Sequence, residues 1–269
     1  MERTVRKPLY RPKYPVQSLE KALEIIDILA QQDTDQGLGI SELNEILDLG
    51  KSTIHRLLDT LVAYQYVERL ENNNYRLGWG LFQIGSALPR QRRVEKLEVK
   101  ALKDISNKFQ ETVNLGVRGG NDVIVVSKVD PDTNSRVKID SHVGEIEPIY
   151  ATGLGKILFA ELDEDTVREV IKNVDFKKYT ENTITNAEDF LKELRKVKEQ
   201  GYAIDNEEYF MGLTCLAMPI RGHEGEVVAA LSVSGPTFRF GVDKIMTLRE
   251  ELSKEILQIS KHLGFESNK

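Results

Sequence analysis

Two parts of this 269-residue chain combine side chains that can do chemistry. The first is the stretch Gly50-Lys51-Ser52-Thr53-Ile54-His55-Arg56-Leu57-Leu58-Asp59-Thr60-Leu61. Its polar positions offer short hydroxyls, an imidazole, an ammonium and a guanidinium, the groups that meet phosphates and base edges at close range. A solvated helix face usually carries Glu/Lys pairs at i,i+4, and this one has none. The second part is dispersed. Thr152-Gly153-Leu154-Gly155 opens a helix, where free backbone N–H groups favour an anion. Cys215 sits in the apolar run 212–220, and Ser232 and Ser234 place two hydroxyls on one face of a strand. Each of these also has a plain reading: a glycine turn, a small buried hydrophobe, and hydroxyls that satisfy each other or water.

Other chemistry fits less well. Gly50-Lys51-Ser52 and Gly155-Lys156 look like fragments of a phosphate-binding loop, but the required upstream glycine is replaced by Glu45 and Tyr150. That excludes a nucleotide-hydrolysing loop. A nucleophilic Cys215 would need a nearby base, and no local Cys/His signature is present. Zinc held by Cys215 with Asp205 and His142 or His223 lacks tight ligand spacing. No metal and no cofactor is therefore expected, and a Cys- or metal-dependent hydrolase in the C-terminal half stands as the alternative reading.

The elements around the first stretch decide what it is. Ile54, Leu57, Leu58 and Leu61 fall at i, i+3, i+4 and i+7, one apolar face against a core. Upstream, Ser18 starts a helix in which Leu19, Ala22, Leu23, Ile26, Leu29 and Ala30 recur at helical spacing, ending near Gln32. After a polar loop with Gly37 and Gly39, Ser41 is expected to cap a short helix that buries Leu43, Ile46 and Leu47. The turn Asp48-Leu49-Gly50 then completes a helix-turn-helix. Residues 66–70 and 75–78 alternate around Asn72-Asn73-Asn74, which predicts a β-hairpin and makes the module winged. Arg69 and Arg76 lie on its strands, within reach of phosphate. On the polar helix, Lys51 and Thr53 suit phosphate, while Ser52, His55 and Arg56 suit bases. Asp59 is expected to orient Arg56 or to point away.

Residues 79–88 read as a helix that Pro89 ends or kinks. Arg90, Arg92 and Arg93 follow, read as a solvated hinge, with a contact to the DNA backbone as the alternative. Residues 94–109 read as another helix. Beyond it, 112–118, 122–130 and 137–141 read as strands, 163–174 and 186–200 as helices, 202–206, 213–220 and 227–234 as strands, and 242–263 as a final helix. With the helix that grows out of 151–160, this alternation predicts a mixed sheet with helices packed against it.

Composition sets limits. With 40% hydrophobic and 30% charged residues the chain can bury a core and is not disordered. The net charge is −6, so any nucleic-acid contact must come from local patches. Residues 1–80 hold ten Lys/Arg against twelve Asp/Glu, yet 1–15 carry Arg3, Arg6, Lys7, Arg11 and Lys13 against Glu2. Such a basic, proline-rich arm can add phosphate or minor-groove contacts. A single cysteine fits a reducing cytosol. No apolar run reaches the roughly 18 residues of a membrane span, and the N-terminus lacks the apolar region of a signal peptide. A cytoplasmic protein without membrane contact is expected.

SLEKALEIIDILA, followed by ISELNEILDLGKSTIHRLLDTLVAYQYVERLENNNYRLG, resembles the IclR family of bacterial transcription regulators. The likeness is collinear and extends over nearly all of residues 16–263. It implies an α+β chain in which an N-terminal winged helix-turn-helix is joined by a linker helix to a GAF/PAS-like α/β effector-binding domain. The boundaries implied are a basic flexible arm at 1–15, the DNA-binding module at 16–78, the linker helix and hinge at 79–95, and the effector-binding domain at 96–269. DNA contacts are expected from Lys51, Ser52, Thr53, His55, Arg56, Thr60, Arg69 and Arg76. In family members the pocket is lined from segments matching ATGLGK, GYAIDNEE, GLTC and SVSGP. The resemblance therefore implies effector contacts at Gly153, Leu154, Asp205, Leu213, Cys215, Ser232 and Ser234. Leu154 stands where relatives often have a smaller residue, which would reduce or reshape the cavity. An ionised Asp205 would repel an anion, so it is read as meeting ligand hydroxyls, a protonated group or backbone. The function implied is a transcription regulator, read as a repressor and not an enzyme. Its expected partners are double-stranded operator DNA, a small carboxylate effector from an organic or sugar-derived acid, and a second copy in a dimer or dimer of dimers. A winged module that binds protein and no DNA is a third reading.

Overall fold

The computed structural model describes residues 12–32, 36–91, 99–132 and 141–266. The chain divides into two units, Met1–Glu95 and Lys96–Lys269.

In the first unit, α1 (Gln17–Ala30), α2 (Ile40–Leu47) and α3 (Lys51–Ala63) precede the hairpin β1 (Val67–Arg69) and β2 (Tyr75–Leu77). Ile25, Ile28 and Leu29 of α1 meet Leu43 and Leu47 of α2, Ile54, Leu58 and Leu61 of α3, and Val67 and Tyr75 of the hairpin. The α1 stripe differs from expectation, since Leu19 and Leu23 are exposed and Ile25 and Ile28 take the core. Helical periodicity marks apolar positions but not which of two adjacent stripes is covered. Gly39, not Ser41, caps α2, and the Gly39 N–H donates to the Glu42 carboxylate at 2.9 Å. Asp48 adopts φ 50° in the turn. Leu38 bridges Tyr75 antiparallel and so adds an edge to the wing. The expected single helix after the wing is two, α4 (Trp79–Gly85) and α5 (Leu88–Gln91). Pro89 lies in the first turn of α5, where its missing N–H costs no intrahelical bond. Arg92 and Arg93, like most of the basic arm, fall outside the described residues.

In the second unit, α6 (Val99–Phe109) leads into β3 (Thr112–Gly119) and β4 (Asp122–Val129). A two-residue strand, β5 (Ile146–Glu147), comes before α7 (Gly153–Ala160), α8 (Glu164–Ile171) and α9 (Ala187–Gln200). The chain closes with β6 (Ala203–Asn206), β7 (Leu213–Arg221), β8 (Val227–Pro236) and α10 (Val242–His262). The sheet order is β5-β4-β3-β8-β7-β6. All recorded pairings are antiparallel, which corrects the expected mixed sheet. The three helices between β5 and β6 do not form a crossover between adjacent parallel strands, because β6 returns at the edge against β7. The expected strand at 137–141 lies largely outside the described residues, and β5 was not foreseen. Ala217 of β7 joins the core under α7 and α9 while its neighbour Met218 meets α10, so the helices cover both faces. No helix among the described residues is long and apolar enough to cross a membrane.

Candidate functional site

The polar side of α3 stands free. Ile54, Leu58 and Leu61 anchor the helix in the core while Lys51, Ser52, Thr53, His55, Arg56 and Thr60 are all exposed. Among the described residues, Ser52, Thr53 and Arg56 have no side-chain partner within the chain, so their hydrogen-bonding groups remain available. Lys51 Nζ donates to Ser41 Oγ at 2.9 Å, which ties the start of α3 to α2. Thr60 Oγ1 donates to the Arg56 carbonyl at 3.0 Å and is thereby turned onto its own helix. Asp59 is exposed, with Oδ2 3.9 Å from His55 Nδ1, so of its two expected roles it does not orient Arg56. On the wing, Arg69 is exposed and donates to Asn73 Oδ1 at 2.7 Å. Arg76 faces Glu68 directly across the hairpin and forms an ion pair with it, which takes up part of its capacity for phosphate.

In the second unit, strand register builds a polar row. Asp205 on β6 lies opposite Cys215 on β7, Cys215 opposite Ser234 on β8, and Ser234 opposite Thr112 on β3. Two residues along each strand, on the same face, come Leu213 and Ser232, with Ser232 opposite Asn114. The start of α7 closes over this row. A Cβ at Gly153 would come within 2.9 Å of the Ala217 Cβ, so glycine permits the approach. Leu154 lies over Gly116 of β3, where a Cβ would be 2.9 Å from the leucine Cδ1. Thr152 caps α7, its Oγ1 accepting from the Gly155 N–H at 3.2 Å. The first N–H groups of the helix, at Gly153 and Leu154, have no partner within it.

The structure brings Gly153, Leu154, Asp205, Leu213, Cys215, Ser232 and Ser234 to one cavity of about 30 Å³, the space of one or two waters. It adds Thr152 from the helix-opening motif Thr152-Gly153-Leu154-Gly155, and six residues that sequence reasoning missed: Asn114, Ser141, Glu145, Glu147, Tyr209 and Phe210. Of these six, Asn114 carried a sequence signal as a polar residue within an apolar strand.

Electrostatics at the cavity are governed by burial. Burial pushes Asp205 up to about 7, against the opposing pull of the Glu208 N–H, which donates to its Oδ1 at 2.7 Å. Burial, with the Glu145 charge adding to it, pushes Glu147 up to about 7. Burial first and the Asp205 charge second push the Cys215 thiol well above its ordinary value. That is the opposite of what activates a nucleophilic cysteine. Beneath Asp205, the fully buried Lys156 donates to Glu208 Oε1 at 2.5 Å and to the Ile204 carbonyl at 2.9 Å. Glu208 Oε2 is buried without a partner among the described residues. Lys156 therefore has a structural role in place of the phosphate-loop role considered and rejected above. No group of three or more His, Cys, Asp or Glu that could hold a metal occurs among the described residues. His223 bonds the Gly264 carbonyl instead, at 3.0 Å.

Residues 18–71 match the family described as IclR helix-turn-helix domain, and residues 90–261 match the bacterial transcriptional regulator IclR C-terminal family. The chain is 33% identical over 250 residues to the HTH-type transcriptional regulator KdgR of Escherichia coli (strain K12), covering 92% of this chain and 94% of that one. It is 31% identical over 253 residues to the HTH-type transcriptional repressor AllR of Salmonella typhi, covering 92% and 90%. The crystal structure of the Thermotoga maritima IclR superposes with a TM-score of 0.71 at 31% identity, covering 93% of this chain and all of that one.

Proposed function

The chain belongs to the IclR family of bacterial transcription regulators, and from that premise we propose that it represses transcription in response to a small organic or sugar-derived acid. It is a DNA-binding regulator and not an enzyme. In our reading α3 lies in the major groove, with Ser52, His55 and Arg56 at base edges and Lys51 and Thr53 at phosphates. Thr60, Arg69 and the unpaired capacity of Arg76 add contacts to the backbone. A cytoplasmic dimer, or a dimer of dimers, presents two such helices to half-sites about 34–36 Å apart. The repressor sign rests on likeness to proteins named as repressors.

The effector reading is supported most by one observation. Residues from four separate segments, at 153–154, 205, 213–215 and 232–234, converge on one cavity at the start of a helix. In this reading the cavity widens on binding beyond its ligand-free space of one or two waters, with the effector's carboxylate at the α7 N–H groups and its hydroxyls at Asp205, Ser232 and Ser234. Ser234 neighbours Thr112, where β3 receives α6, the described helix that follows the connector. A shift at Ser234 can thus be passed to β3 and α6 within this unit. The test is titration of the full chain onto DNA from upstream of its own gene, with and without candidate acids. Ser234→Ala is expected to keep ligand-free DNA binding and to lose the effector response, whose size is typically about 5- to 150-fold. An unchanged response in Ser234→Ala contradicts the pocket assignment.

A further inference from the structure

Among the fourteen residues that line the cavity, three are acids and none is Lys, Arg or His. The nearest buried cation, Lys156, is engaged by Glu208 and the Ile204 carbonyl and does not line the cavity. The three acids differ in their surroundings. Glu145 Oε2 accepts the His142 N–H at 3.1 Å and lies 3.5 Å from the imidazole, so it is tied to its own turn. Asp205 Oδ1 accepts the Glu208 N–H at 2.7 Å. Glu147 sits on β5, opposite Val123 of β4, at the start of the short segment that leads to the Thr152 cap. The Thr152 hydroxyl beside it donates to the Pro148 carbonyl at 3.0 Å and also interacts with the Glu147 carboxyl, opposing the upward push of burial. The cavity thus joins carboxyl groups from β5 and β6 to the N–H groups at the start of α7.

We propose that Glu147 is a second ligand-reading acid of this pocket, acting with Asp205 to select a polyhydroxylated acid over a simple carboxylate. The inference rests on the effector-pocket reading above. A carboxyl group accepts hydrogen bonds when ionised and can also donate one when protonated, and in either state a hydroxyl matches it while a methylene leaves it bare. A buried acceptor without a partner is costly, and sites built around a substrate hydroxyl reject analogues that lack it far more strongly than apolar pockets reject a missing methylene. The ligand's own charge goes to the end of the cavity where a helix N-terminus supplies positive potential. Its hydroxyls then face Glu147 and Asp205, with Ser232, Ser234 and Asn114 able to donate or accept between them.

The experiment is calorimetric titration of the full chain with two pairs of acids matched in carbon number, D-glycerate with propionate and D-gluconate with hexanoate. Wild-type protein is expected to bind the hydroxylated member of at least one pair about tenfold or more tightly. Glu147→Gln, which keeps the shape of the side chain, is expected to lower that preference about fivefold while leaving thermal stability and ligand-free DNA binding near wild type. Equal affinity within the pairs, or an unchanged preference in Glu147→Gln, overturns the inference. Ser234→Ala and Asp205→Asn separate the two readings. If both weaken binding while Glu147→Gln keeps the preference, the role of Glu147 fails alone. If neither changes binding, the pocket assignment itself fails, and binding by no member of the panel overturns both.

Discussion

Cutting Leu154 to alanine tests how the cavity is closed. The side chain is 1% exposed, seats over Gly116 and lines the cavity of about 30 Å³. Leu154→Ala removes three carbons from a packed site, a change that costs about 2–5 kcal/mol. The cavity wall carries serines and carboxyls, polar enough for water to fill the space opened, so the lower part of that range is expected. For a unit of this size each kcal/mol moves the midpoint by about 2–4 °C, which gives a fall on the order of 5–10 °C. The same cut opens space for a ligand, and a ligand at a hundredfold excess over its Kd returns about 2.7 kcal/mol. The assay is thermal unfolding of wild type and Leu154→Ala over a D-glycerate series. A lower ligand-free midpoint with a steeper rise on adding ligand is expected. A variant as stable as wild type, or one that the ligand shifts less than wild type, refutes the reasoning.

Other outcomes follow from the same geometry. The folded state holds Asp205 at about 7, well above an ordinary aspartate near 4, so between those values it keeps a proton that the unfolded chain has lost. This contribution to stability is full at low pH, is lost as pH rises through that window, and stays lost above it. Asp205→Asn keeps the acceptor for the Glu208 N–H, so it is expected to gain stability over wild type at pH 8 and not at pH 5. Denaturant titration at both values checks this, and an equal difference at both counts against it. Lys156→Met strands the Glu208 carboxylate and is expected to cost about 3–5 kcal/mol. Burial already raises Glu208, so that loss should shrink in acid, and a pH-independent loss would contradict the ion-pair account. Arg69→Ala should reduce the log–log salt slope of DNA binding by about one and leave sequence preference unchanged.

The local elements were the most legible in the sequence. The i, i+3, i+4, i+7 spacing of α3 gave its buried face, and Asn72-Asn73-Asn74 gave the turn of the wing, with Asn73 at φ 65°. Asp163 and Asn186, named as helix starts, are the N-caps of α8 and α9. What escaped depends on partners far apart in the chain. Strand order is set by pairing, so the antiparallel sheet could not be read from the alternation of elements. Gly39 replaced Ser41 as the cap because Glu42 reaches back to its N–H, a matter of local geometry and not of residue preference. Glu147 reaches the cavity on a two-residue strand too short to leave a periodic signal. Lys156 enters the sequence reading only through a rejected phosphate-loop fragment, and the fold shows it buried against Glu208.

The most direct test of the account is binding of the full chain, by fluorescence anisotropy at fixed salt, to DNA from upstream of its own gene and to a scrambled duplex of equal length. Arg56 is exposed on α3 without a partner among the described residues. Arg56→Ala is predicted to weaken specific binding by about 1–3 kcal/mol while leaving binding to the scrambled duplex nearly intact. Specific binding that survives Arg56→Ala unchanged would contradict α3 as the element that reads DNA.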